Sequence, residues 1–260
     1  MQWENLTYID FKNAIKDTKG VCILPLGVIE KHGDHLPLGT DIIVIHKIAC
    51  LAAEREPAVV FPYYYFTQIL EAKHQVGTIA IKPKLMLELL ENVCDEIGRN
   101  GFKKIILLNG HGGNTSFLLF YLFTLLNKKK PYTIYYPREP YEKISKVEKV
   151  FKTEDAHAGE RETSIVMAIR EDLVKKGYIP QKPAKPLGRL KHLEGMRTPV
   201  NWYADYPDHY AGDARFATKI KGEKVLEMSV DYVSKVIKLV KKDKITKELY
   251  EKFFRECIHT

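Results

Sequence analysis

Three short stretches of this 260-residue chain hold side chains that could do chemistry together. In the first, Glu30, His32, His35 and Asp41 fall within twelve residues, directly after an apolar run. Glu30 and His32 are two apart, so an extended backbone projects both from one face toward a single ion. Asp41 lies at the predicted start of the next helix, where its carboxylate could bridge two cations. In the second stretch His111 sits among Gly110, Gly112 and Gly113, between Asn109 and Asn114, after another apolar run. Those glycines let the backbone approach a ligand closely. Mixed carboxylate and imidazole donors suit zinc, manganese or iron better than magnesium or copper(I). The chemistry to expect is metal-assisted hydrolysis.

The third stretch opens a predicted helix with Asp155, His157, Glu160 and Glu162. Glu162 shares a stripe with Ile165, Val166, Ile169 and Leu173, so helical periodicity places it at the head of the buried face. Glu160 falls toward the side bearing Ser164 and Glu171. A carboxylate leading an apolar stripe needs a partner, and a metal or a catalytic proton would supply one. His157 is the candidate proton donor or electrostatic stabiliser of the reacting group, with Asp155 to orient it.

The elements that must position these residues follow from the hydrophobic pattern. Residues 21–26, 58–65, 104–108 and 132–136 are continuous apolar runs, as parallel strands covered on both faces require. Helical patterns cover 41–56 with Thr40 as N-cap, 83–99 with Pro83 in the first turn, and 115–127 capped by Asn114. Further helices are expected at 159–176, 223–242 and 246–257. Alternating strands and helices predict one α/β domain over residues 1–260 with a mainly parallel sheet. Both histidine motifs then lie beyond the carboxyl ends of strands, where open sheets of this kind build their sites. Residues 178–221 lose the pattern, and a loop that long in a compact domain is usually functional or interfacial.

Composition narrows the function classes. With 45% hydrophobic and 28% charged residues the chain is globular rather than disordered. The net charge of +8 comes largely from lysines on helix faces such as 235–247, without interleaved aromatics, which argues against nucleic-acid binding. Cys22, Cys50, Cys94 and Cys257 are too widely spaced for a thiolate zinc site, and Cys22 and Cys94 fit buried free thiols. No cleavable apolar signal opens the chain and no apolar run approaches the roughly 18–20 residues of a membrane span, so the default expectation is cytoplasmic, with no membrane partner.

Taken in order, Glu30-x-His32-Gly33-x-His35-Leu36-Pro37-Leu38-x-x-Asp41, Asn109-Gly110-His111-x-x-Asn114 and His157-Ala158-Gly159-x-x-Glu162-Thr163 resemble the motifs of the creatininase (creatinine amidohydrolase) family. The run from Tyr210 to Thr218 is similar to that family's C-terminal signature. The resemblance spans nearly the whole chain. It implies a three-layer α/β/α sandwich with a mainly parallel central sheet, assembled as a homo-oligomer, a hexamer. It also implies two divalent transition metal ions per chain (zinc, manganese or iron). One would be held by Glu30, Asp41 and His111, the other by His32 and Asp41, so that Asp41 bridges. The activity implied is attack of a metal-bound hydroxide on a small amide, cleaving a non-peptide C–N bond, often in a ring, while His157 assists the leaving nitrogen.

Two departures from creatininase proper stand out. A second-metal glutamate belongs two residues after the histidine of the Asn-Gly-His motif, and this chain has Gly113 there, so either Glu162 replaces it, which is the reading favoured, or the second site is weak, or only one metal binds. A tryptophan belongs four residues before His157, and this chain has Thr153 there. With only Trp3 and Trp202 elsewhere, an aromatic box for creatinine is not expected, which points to another amide. His35, Glu71, His74 and Asn114 are the candidate substrate-pocket residues. The competing reading is a non-catalytic member of the same scaffold that binds a metal or ligand without turnover.

Overall fold

The computed structural model describes residues 1–137, 148–154 and 156–257, so Asp155, the expected partner of His157, lies outside the described residues. Strand β1 (Val21–Leu26) and strand β3 (Lys104–Asn109) pair in parallel from Val21↔Lys104 to Leu26↔Asn109. The short strands β2 (Val59–Val60) and β4 (Thr133–Tyr135) flank them, giving a parallel sheet of order β2-β1-β3-β4. β2 is shorter than the apolar run predicted at 58–65. Pro62 has no N–H to give the ladder and sits on an edge, and pairing resumes only as a bridge at Tyr64.

Alternate strand residues feed two separate cores, which is why the strands are apolar throughout. Val21, Ile23, Ile106 and Leu108 pack beneath helices α2 (Thr40–Arg55), α5 (Glu160–Arg170) and α7 (Lys219–Lys242). Cys22, Leu24, Ile105 and Leu107 pack on the opposite face against α1 (Tyr8–Asp17), α3 (Pro83–Arg99) and α4 (Thr115–Thr124). This is an α/β sandwich with a parallel central sheet: the pattern predicted the parallel sheet, and the family resemblance implied the sandwich. Two more helices, α6 (Asn201–Asp205) and α8 (Ile245–Glu256), complete the described α-helices. No helix of the described residues is long and apolar enough to cross a membrane.

Some expectations fail locally. The N-cap of α2 is Gly39, and Thr40 Oγ1 donates instead to the Pro37 carbonyl (2.7 Å). Asn114 precedes α4 without capping it. The helix predicted at 159–176 ends at Arg170 and continues as a 3-10 turn, Glu171–Leu173.

The orientation of α5 reverses the periodicity argument. Glu160 is fully buried: its Oε2 accepts from the backbone N–H groups of Lys152 (2.8 Å) and Thr153 (3.0 Å), and its Oε1 pairs with Lys221. Glu162 is the more accessible of the two, its side chain 21% exposed. A single buried stripe is the wrong assumption here, because α5 is covered by both α2 and α7. The α5–α7 approach is so close that a Cβ at Gly222 would fall 1.8 Å from the Ser164 carbonyl oxygen. Gly222→Ala is therefore expected to destabilise by at least about 1–3 kcal/mol, the overpacking range. The readout is a lower denaturant midpoint at unchanged slope. Wild-type stability would show that the two helices separate freely.

Candidate metal centre

The ends of β1 and β3 and the start of α2 converge because glycine follows each strand. A Cβ at Gly27 would lie 2.7 Å from the Ile42 nitrogen, and one at Gly110 would lie 2.7 Å from Ile45 Cβ and 3.0 Å from the Asp41 carbonyl oxygen. The absence of those side chains lets the first turn of α2 sit against both strand ends. Asp41 is thereby delivered to His111 and to the loop that carries Glu30 and His32.

The two carboxylate oxygens of Asp41 face different imidazoles. Oδ1 is 3.1 Å from His32 Nε2, and Oδ2 is 3.0 Å from His111 Nδ1. Glu30 Oε1 lies 2.9 Å from the same His111 nitrogen. Glu162 Oε2 stands 3.8 Å from His32 Nε2 and accepts from the Ala158 N–H (2.6 Å). Ligand-type atoms of Glu30, Asp41 and His111 lie within 4.8 Å of one another, as do those of His32, His157 and Glu162.

The electrostatics are those of a cation site. Burial opposes charge on His32, but Asp41, Glu30 and Glu162 outweigh it and push its pKa up to about 10. Burial likewise opposes charge on His111, and Glu30 with Asp41 still raise it well above the usual range. Burial would raise Glu30, yet His111 and His157 hold it well below the ordinary carboxylate range. The residues fit a metal on a separate count too. Glu30 Oε1 and Asp41 Oδ2 are buried and make no well-formed hydrogen bond among the described residues, although both crowd one imidazole nitrogen. Two buried carboxylate oxygens that must share one imidazole nitrogen are poorly satisfied, and a shared cation satisfies both at once.

Around this cluster the chain supplies supports. His209 is buried with φ of 54°, and Trp202 Nε1–H donates to its Nδ1 (2.9 Å). Its proton therefore sits on Nε2, which donates to Glu30 Oε2, leaving Glu30 Oε1 aimed at His111. The two asparagines of the second motif are scaffold. Asn109 Nδ2 donates to the His111 carbonyl (2.7 Å), and its Oδ1 accepts from the His111 N–H (3.2 Å). Asn114 Nδ2 donates to Thr67 Oγ1 (2.8 Å) and to Asn109 Oδ1 (3.0 Å), and its Oδ1 accepts from the Gln68 N–H (3.0 Å), so the oxygen that would cap α4 is engaged elsewhere.

A family profile, creatininase (creatinine amidohydrolase), matches residues 4–237. The chain belongs to the creatininase family. It is 25% identical over 261 residues to the 3-dehydro-scyllo-inosose hydrolase of Thermotoga maritima, covering 91% of this chain and 82% of that one. It is 28% identical over 218 residues to the mycofactocin precursor peptide peptidase of Mycolicibacterium smegmatis, covering 80% and 81%. A crystal structure of creatinine amidohydrolase superposes with a TM-score of 0.79 over 94% of this chain and 98% of that one, at 20% identity, which speaks for the fold. This member of the creatininase family thus carries a metal-binding cluster on a hydrolase scaffold.

A cavity of about 520 Å³ opens onto the cluster, lined among others by Glu71, His157, Glu162 and Trp202. His157 is buried, held by paired backbone bonds to Ala211 (2.8 and 2.9 Å), and its Nε2–H donates to the Lys31 carbonyl (2.8 Å). Burial and the neighbouring His32 keep its pKa below the ordinary value, so the ring is neutral and Nδ1 holds the lone pair.

Three expected pocket residues lie elsewhere. His35 is fully buried with Nε2 against Thr163 Oγ1 (2.8 Å), and burial together with His32 lowers its pKa to about 4. His74 faces the Pro207 carbonyl (2.9 Å) in a neighbouring groove, and Asn114 serves the scaffold. Thr153 takes no part in an aromatic wall, since its hydroxyl donates to Glu160 (2.8 Å). One aromatic does line the cavity: Trp202 meets His157 edge-on at 5.9 Å, arriving from the irregular segment after residue 178. The cavity residues Gln68, Arg161, Arg197, Trp202 and His209 were not singled out by sequence. Only His209 had a signal, its position directly before the run beginning at Tyr210.

Proposed function

We propose that this chain is a metal-dependent amidohydrolase acting on a small amide, cyclic or acyclic, other than creatinine. The observation that carries this reading is the arrangement of Asp41 between His111 and His32, each imidazole facing one carboxylate oxygen. Glu30, Asp41 and His111 would hold one divalent ion of the zinc, manganese or iron type. His32, Asp41 and Glu162 would hold a second, with Glu162 standing where Gly113 offers no ligand. Bound there, such ions would polarise the carbonyl and lower the pKa of water.

The chain's own residues supply the rest. His209 and Trp202 fix Glu30. His157 accepts a proton at Nδ1 and returns it to the departing nitrogen as the C–N bond breaks, giving a carboxylic acid and an amine. Trp202 offers an apolar wall, and Arg161 and Arg197 add N–H donors beside the carboxylates that a polar amide can use. We further propose a homo-oligomer of single-domain chains. The outer face of α4 supports it, with Leu119, Phe120 and Phe123 exposed on one helix.

The test is a panel of lactams, cyclic ureides, N-formyl and N-acyl compounds and short peptides, assayed for released amine with protein reconstituted with zinc, manganese or iron. Turnover above metal-only blanks is expected for at least one small amide. Saturable ligand binding with no turnover across the panel would favour the non-catalytic reading, and turnover of peptides alone would remove the non-peptide assignment.

A further inference from the structure

The two ring nitrogens of His111 have different surroundings. Nδ1 is 2.9 Å from Glu30 Oε1 and 3.0 Å from Asp41 Oδ2. A nitrogen that binds an ion does so through its lone pair, so a neutral His111 serving Nδ1 to a metal must carry its proton on Nε2. Nε2 is buried and has no hydrogen-bond partner among the described residues. A buried N–H of a ligand histidine ordinarily finds a carboxylate, carbonyl or water, which fixes tautomer and ring angle.

A carboxylate stands ready beside it. Glu71 Oε1 lies 3.9 Å from His111 Nε2, on a 3-10 turn formed by Leu70–Ala72. The other oxygen, Oε2, accepts from Gln68 Nε2 (2.8 Å). Gln68 is anchored in turn, its backbone N–H donating to Asn114 Oδ1 (3.0 Å) and its Oε1 accepting from the Leu70 N–H (2.7 Å). With Oε2 tethered, Oε1 is left facing the imidazole. A closure of roughly 1 Å brings it into hydrogen-bond range, and a side chain that is 23% exposed has room for it.

Gly113 is what admits this pair. A Cβ built there would lie 2.4 Å from His111 Nε2 and 2.6 Å from Glu71 Oε1. Any side chain at 113 would displace the imidazole, the carboxylate or both. The glycine in the motif, the turn at 70–72 and the clamp through Gln68 thus describe one device assembled from two distant stretches.

We propose that Glu71 is the positioning residue of the metal centre: its carboxylate accepts the Nε2–H of His111, directs Nδ1 at the ion, and requires glycine at position 113. This rests on the metal reading, and Glu71 acts through His111 rather than touching the ion. Outer carboxylate partners of ligand histidines are worth about 10–100-fold in metal affinity.

The experiment measures zinc dissociation constants by chelator competition for the full-length wild type, Glu71→Gln, Glu71→Ala and Gly113→Ala. Proton NMR of the cobalt-substituted forms accompanies it, because a ligand histidine's ring N–H appears there as a shifted, exchangeable signal. Glu71→Ala should weaken zinc by about 10–100-fold and speed solvent exchange of one ring N–H. Glu71→Gln, whose one amide oxygen can accept from the imidazole only by turning its NH2 toward Gln68, should recover part of the affinity. Gly113→Ala should reproduce the alanine phenotype with Glu71 intact. Glu71→Ala binding zinc within twofold of wild type with an unchanged N–H signal would overturn the proposal, as would Glu71→Gln proving as weak as Glu71→Ala. A wild-type chain that binds no zinc would remove the metal reading itself, and this proposal with it.

Discussion

Asp41→Ala is expected to abolish metal loading and activity together, with a larger effect than any other single substitution at the site. The reason is geometric. Asp41 is the one carboxylate whose two oxygens face His111 at 3.0 Å and His32 at 3.1 Å, so its loss removes a donor from both halves of the cluster. Removing a direct donor shared by two ions should exceed the about 10–100-fold effect of losing an outer partner. The variant should nonetheless fold. Asp41 lies beside other buried acids, and in the metal-free wild type raised pKa values on His32 and His111 help to offset them. Deleting one acid eases that burden, so the metal-free melting temperature should match or exceed wild type. What should vanish is the rise in melting temperature on adding zinc or manganese, since that rise is binding free energy. A preserved metal-induced rise in Asp41→Ala would remove Asp41 from the centre.

His157→Ala should produce the opposite signature, lost turnover with retained metal. His157 Nε2 is engaged with the Lys31 carbonyl, and the ring is neutral because burial and His32 disfavour its charge. In the proposed function it carries a proton at Nδ1 between water and leaving group, and such groups contribute about 10²–10⁴-fold. The expected result is a kcat lowered by that factor on whichever amide the panel identifies, with metal stoichiometry equal to wild type. The same imidazole lies within 4.8 Å of ligand atoms of His32 and Glu162. A His157→Ala protein that loses metal in proportion to activity would therefore make His157 a ligand and refute the proton-transfer role.

How far the sequence could be read depended on whether a residue's surroundings were local. The central strands β1 and β3 are apolar on both faces, and nothing but a two-sided sheet accommodates them, so their bounds were plain. Glu30, His32, Asp41 and His111 were equally legible, because each follows directly from a strand end or begins a helix. Glu160 and Glu162 were not. Periodicity assumes one buried face, and α5 has two, so Glu160, placed toward the side of Ser164 and Glu171, is fully buried against Lys221, while Glu162, placed at the head of the buried stripe, reaches the cavity. His209 and Trp202 come from a stretch without periodicity, where position is set by contacts made only in the folded chain. Asn114 looked like a helix cap because its type and place suit one, and its side chain proved committed to Thr67 and Asn109.

The account stands or falls on two ions sharing Asp41. Crystals of the protein reconstituted with zinc, measured on both sides of the zinc absorption edge, would decide it directly. Two anomalous peaks are expected, one beside Glu30, Asp41 and His111 and one beside His32, Asp41 and Glu162. A fully loaded crystal with a single peak, or with no peak touching Asp41, would contradict it.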